Sequence, residues 1–395
     1  MNQRNFQNIF FISLSQFGMS FSFNFVMVFI PFFIQKMSPY SHSETLVWLG
    51  LIMGAPSFAA AFMSTFWGSL ASRYSPKTIF LRGLLSHAVL IFSMAYVSSL
   101  PLLFALRVIQ GLFGGISTVG LILVSSSSSH DRVSRDIGFF QNAMTFGQLI
   151  GPPIGAVVAA ALGYRGAFIS ASALVFVTLG FCFFHVAEVH HEGKERRAFG
   201  RHMVDKRTFI GWGLCFTATA QLMFLPSIFP NVFQWYNIGH GVALKWAGLI
   251  VMFYTCTAMI GNYVLCRQAS RIGIGRLIIS AGAAAVILQW LLAFSPGIIS
   301  FTAVRMLQTA MLAAIVPVVF SIFASDLDGR VIGFLNSGRF LGNALGPMIG
   351  TSILAFSSLR WVFLAMGGLG LAALLSFAFF SDNMEQEVRS KTNDG

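Results

Sequence analysis

The chain of 395 residues is 56% hydrophobic, holds 43 Phe and has a mean hydropathy of +0.75, with only 10% charged residues. Soluble domains carry about 25% charged residues, so an ordinary globular protein is excluded. A net charge of +12 would suit a nucleic-acid partner, but the placement of the charges, taken up below, leaves that reading little support.

A bilayer core about 30 Å thick requires roughly 20 apolar residues per helix. Runs of that length fall near residues 7–35, 46–70, 79–98, 101–126, 137–162, 166–187, 208–234, 244–266, 275–294, 298–324, 331–356 and 359–381. They predict an all-α membrane protein with twelve transmembrane helices. The first run follows Arg4 but continues through Phe33 without an A-x-A-like site, so it reads as a retained helix and not a signal peptide. It carries the polar residues Gln16, Ser20, Ser22 and Asn24. The third run contains His87, the only histidine well inside a predicted span, and the fourth contains Arg107. Ser125 to Ser129 close the fourth run as a polar cap, with no base and acid beside them to make a nucleophile. No Walker motif is present, so ATP-driven pumping has no sequence support.

The fifth run opens at Asp136, carries Gln141 and Asn142, and then reads FGQLIGPPIGA from Phe146 to Ala156. Glycines four apart, at Gly147, Gly151 and Gly155, put small surfaces on one helical face. Pro152 frees a carbonyl and permits a bend. Such a helix is expected to pack against the opposite half of the molecule in one state and release it in another, although close packing alone would use the same residues. Beyond the sixth run, EVHHEGKERRAFGRHMVDKR forms the only long polar stretch, Glu188 to Arg207. It divides the chain into a first bundle at 1–188, a linker at 189–207 and a second bundle at 208–395. His190, His191 and Glu192 lack a matching second cluster, so no metal site is expected. Cys182, Cys215, Cys256 and Cys266 form no C-x-x-C pair and read as packing residues.

Of the 25 basic residues, only Lys36, Arg165, Lys245 and Arg360 fall on the far side when loops are counted from a cytoplasmic N-terminus. Arg107, Arg305 and Arg339 lie within spans, and the others are cytoplasmic. That asymmetry is the positive-inside pattern with both termini in the cytoplasm.

The two halves repeat. Phe25 to Gln35 matches Phe224 to Gln234, and Ser72 answers Ser270. Arg107 answers Arg305, Tyr164 answers Leu359, and Gly147 to Gly155 answers Gly342 to Gly350. All five offsets lie between 195 and 199 residues, which chance would hardly produce. Gly346 and Pro347 therefore repeat Gly151 and Pro152.

With these motifs in place, the whole chain resembles the major facilitator superfamily of transporters. The family's loop motif G-x-L-a-D-R-x-G-R-K stands here as GSLASRYSPK, keeping Gly68, Leu70, Ala71, Arg73 and Lys77. Ser72 replaces the acid that helps latch the cytoplasmic side in the family. The fourth-helix motif R-x-x-Q-G is kept as Arg107, Gln110 and Gly111, and the fifth-helix glycine-proline motif is similar to that of twelve-helix drug-proton antiporters. The resemblance implies a monomeric inner-membrane exporter in a bacterium, coupled to protons and needing no cofactor.

Alternating access in this fold rocks one half against the other around a site near mid-depth. The substrate candidates are therefore Arg339, Arg305, Arg107, Asn24, Gln141, Asn336 and Gln221. Arg107 and Arg305 have an equal alternative as structural groups. Arg339 has none from the repeat, because Met144 stands at its counterpart. For the proton the candidates are His87 and Asp136. None of the 13 acidic residues falls mid-helix, so the cavity is expected to be positive and the solute anionic or zwitterionic. An importer of an organic anion such as a siderophore, and a non-transporting receptor, are the alternatives.

Overall fold

The computed structural model describes residues 3–71, 74–128, 132–187, 206–322 and 329–393. Arg73 and the cluster His190, His191 and Glu192 lie outside them, as does nearly all of the expected linker. Every regular element among the described residues is helical. In chain order these are α1 (Gln3–Met37), α2 (His42–Ala71), α3 (Pro76–Met94), α4 (Leu100–Leu112), α5 (Ile116–Ser127), α6 (Val133–His185) and α7 (Lys206–Met223). There follow α8 (Leu225–Trp235), α9 (His240–Ile272), α10 (Ile274–Leu291), α11 (Ile298–Ala313), α12 (Ile315–Ile322), α13 (Gly329–Phe356) and α14 (Leu359–Asn393).

Helices stand over the expected spans, and several are interrupted. The fourth arrives as α4 and α5, broken at Gly115 with φ 86°, and the tenth as α11 and α12. The fifth and sixth merge into α6, where Gly163 sits at φ 72°. A side chain there would strain the backbone, so glycine marks the chain reversal between two spans. The seventh arrives as α7 and α8, bent by 42° just before Pro226. Among the described residues nine helices are long and apolar enough to cross a membrane, and the bent pair makes a tenth when taken as one span.

Residue contacts group the chain into two compact units. The first comprises Met1–Ser41, Leu51–Phe199 and Ile238–Met252, and the second His42–Gly50, Gly200–Asn237 and Phe253–Gly395. Two short segments thus join the unit opposite to the one their place in the sequence suggests. In the second unit Ser43 Oγ donates to Ala355 O at 2.9 Å, tying the start of α2 to α13. Each unit has its own apolar core. Ile12, Phe80, Leu84 and Phe140 belong to the first; Leu214, Ile278, Leu312 and Phe377 to the second. The four cysteines are free, and Cys182 and Cys215 are buried packing groups.

Candidate functional site

Polar groups in an apolar interior must find partners, so the helices' polar residues can be sorted by what they touch. Those of the first unit's α1 are largely spent. Gln16 Nε2 donates to Ser117 Oγ at 2.8 Å, Ser20 Oγ to Met144 O at 2.9 Å and Asn24 Nδ2 to Ser20 O at 2.8 Å. In α7, Thr217 and Thr219 return their hydroxyls to Leu214 O and Cys215 O.

Arg107 is fully buried. Its Nε donates to Ile52 O at 3.2 Å and its Nη1 to Gln110 Oε1 at 2.7 Å, while its guanidinium lies 5.5 Å from the Phe23 ring centre. The carbonyl it reaches has a specific origin. Pro56 stands four residues after Ile52 and has no N–H, so α2 leaves Ile52 O without its helical donor. Arg107 supplies that donor from another helix. The second unit does the same: Arg305, also fully buried, donates through Nη2 to Gln221 O and Leu222 O, both at 3.0 Å. Pro226 stands four residues after Leu222, so Arg305 caps the carbonyls freed at the bend between α7 and α8.

The glutamines extend both networks. Because Arg107 holds Gln110 Oε1, the amide nitrogen Nε2 faces His87 Nδ1 at 3.1 Å. Nδ1 is then an acceptor and the ring proton sits on Nε2, which donates to Ser22 Oγ at 3.0 Å. Ser22 passes its own proton to Met19 O at 2.9 Å. Both ring nitrogens of His87 are engaged in one tautomer, and a second proton would face the amide N–H. In the repeat, Gln308 Nε2 donates to Gln289 Oε1 at 2.8 Å and to Gln221 Oε1 at 3.3 Å. Gln221 stands 199 residues after Ser22, whereas Gln289 stands 202 after His87, one helical turn beyond the counterpart Ala285. The partner that Gln308 finds on α10 does not titrate.

The glycines of the motif have specific seats. A methyl group placed on Gly147 would lie 2.8 Å from Phe17 O, and one on Gly151 2.7 Å from Phe21 O; Gly155 presses on Phe25 O. Gly342 and Gly346 meet Phe216 O and Ala220 O in the same manner. These glycines seat α6 on α1 and α13 on α7, within one repeat each. The prolines beside them meet different partners. In the first unit Gly248 lies against Pro152 O and Ala156; in the second, Gly50 lies against Pro347 O, Met348 and Thr351. Gly50 and Gly248 are 198 residues apart, a correspondence the sequence reading missed.

A further polar face lies on α13, with a matching one on α6. Asn336, Arg339 and Asn343 follow at intervals of three and four, hence on one face. Farther along the same helix, Gly50 covers Pro347 and Thr351. Arg339 is exposed, and Nη1 donates to Asn336 Oδ1 at 3.1 Å. The corresponding face of α6 carries exposed Gln141 and half-buried Gln148. The described side chains include two carboxylates, Glu44 and Asp136, each in the first turn of its helix. In the loop motif, Gly68 packs near Thr118, and Lys77 Nζ donates to Phe183 O at 3.1 Å.

Comparison with known proteins agrees with this architecture. The family profile of the Major Facilitator Superfamily matches residues 12–302 and 236–395. The multidrug resistance protein MdtG of Klebsiella pneumoniae (strain 342) is 27% identical over 363 residues, 89% of this chain and 87% of its own. The uncharacterised transporter YuxJ of Bacillus subtilis (strain 168) is 26% identical, covering 85% of this chain and 89% of its own. A crystal structure of a bacterial homologue of the human lysosomal transporter Spinster superposes with a TM-score of 0.77. Its identity is 12%, over 95% of this chain and 97% of its own, which speaks to fold alone.

Proposed function

The chain belongs to the major facilitator superfamily, and from that premise we propose that it exports a small amphipathic organic anion by proton-coupled alternating access. It is an integral membrane transporter and not an enzyme. In this reading it works as a monomer in a bacterial inner membrane, with both termini in the cytoplasm and no cofactor. Relatives named for multidrug resistance support the direction, export.

The observation that carries the substrate charge is Arg339. Arg107 bonds a carbonyl, Gln110 and Met27 Sδ, and Arg305 bonds two carbonyls and Gln308 and keeps only its buried Nε unpartnered, whereas Arg339 is exposed and bonded only to the neutral Asn336. A guanidinium grips an oxyanion through two parallel bonds. Arg339→Lys keeps the charge and loses the fork, so binding of a carboxylate substrate should weaken by about tenfold, and Arg339→Ala should weaken it further. Equilibrium binding to detergent-purified protein reads both; unchanged affinity in Arg339→Ala would remove the residue from the site.

For the proton, the engaged tautomer of His87 and the non-titrating partner Gln289 that Gln308 has in the second unit favour Asp136, half-buried in the first turn of α6. Under an imposed pH step, His87→Gln should still accumulate substrate, and Asp136→Asn should exchange it without accumulating it. The opposite pair of results would return the proton to His87.

A further inference from the structure

The face of α13 that carries Arg339 is chemically one-sided. Arg339 donates one N–H to Asn336 Oδ1, and that bond turns the Asn336 amide so that its Nδ2, which has no protein partner, points away as a donor. The remaining nitrogens of Arg339, Nε and Nη2, are likewise open and can only donate. One turn on, Asn343 buries its Oδ1 without a partner and leaves its Nδ2 open. Three side chains on one helical face thus present N–H groups outward, with the acceptor of one occupied and that of another buried. Farther along, α2 covers this face at Pro347 and Thr351, while Arg339 is exposed and Asn336 and Asn343 are half-buried.

We propose that Asn336, Arg339 and Asn343 form an oxyanion subsite for a ligand group that only accepts hydrogen bonds, a carboxylate, sulfonate or phosphate, and that this subsite rejects zwitterions. The inference rests on the anionic reading above and narrows it. An ammonium beside the acid would meet the guanidinium and two amide donors, with repulsion and no acceptor to receive its protons. A bare oxyanion offers only acceptors and so suits each of these donors. Asn336→Asp reverses the arrangement: its carboxylate accepts from Arg339, neutralises it and removes an outward donor.

The test is competition binding to the full chain in lipid nanodiscs with four probes on one aromatic ring: benzoate, 4-(aminomethyl)benzoate, benzamide and benzyltrimethylammonium. Benzoate should bind at least about tenfold more tightly than the zwitterion, and Asn336→Asp should erase that preference. If Asn336→Asp is not monodisperse, Asn343→Asp is read in its place with the same expectation. Equal binding of benzoate and the zwitterion, with the cation still excluded, overturns this inference and leaves the anionic reading standing. Equal or tighter binding of the cation overturns both. No binding of benzoate, or an undiminished preference in a folded Asp variant, overturns the subsite.

Discussion

Arg107→Ala should lower stability by about 3–5 kcal/mol, because it opens a cavity and leaves Ile52 O and Gln110 Oε1 unpaired in an apolar interior. Thermal unfolding of the detergent-purified chain, followed by size-exclusion chromatography, reads the loss. The cause can be isolated. Pro56→Ala restores an N–H four residues after Ile52, so in the Arg107→Ala background it should recover about 1 kcal/mol that it does not give in the wild type. Arg305→Ala with Pro226→Ala should behave alike, since Arg305 serves Leu222 O. An Arg107→Ala protein that is as stable as wild type yet inactive would mean that the arginine acts on substrate instead.

The second large effect concerns the glycine faces. Gly151→Leu would drive a side chain into Phe21 O and Phe25 N of α1, and Gly346→Leu into the Ala220 backbone of α7. Backbone cannot yield as a flexible side chain does, so each should cost at least about 1–3 kcal/mol. The variants are expected to be poorly folded and not merely slow. Gly138→Leu, on the same helix with nothing within 4 Å of an added methyl, is the matched control and should be recovered like wild type. Well-folded Gly151→Leu protein that binds substrate and fails to transport would restore the idea that this face works between the halves.

The sequence carried much of this and concealed the rest for identifiable reasons. Span positions follow from hydropathy along the chain, and the repeat follows from paired offsets, so both were readable without a structure. The small face of α6 was readable from its glycine period, but a period states which residues share a face and not which helix meets it; that helix is α1. The role of Arg107 was hidden because its determinant, Pro56, lies 51 residues earlier and becomes relevant only when α2 and α4 pack. Arg339 stood out by lacking a repeat counterpart. The donor edge around it depends on the orientation of the Asn336 amide, which no sequence records.

A transporter that receives an anion at Arg339 should reveal it in flux. The most direct measurement is uptake into inverted membrane vesicles under an imposed proton gradient, comparing an aromatic carboxylate with an ethidium-like cation in wild type and Arg339→Ala. The expected result is carboxylate uptake that Arg339→Ala abolishes, with little cation uptake in either. Robust cation uptake that survives Arg339→Ala would contradict it.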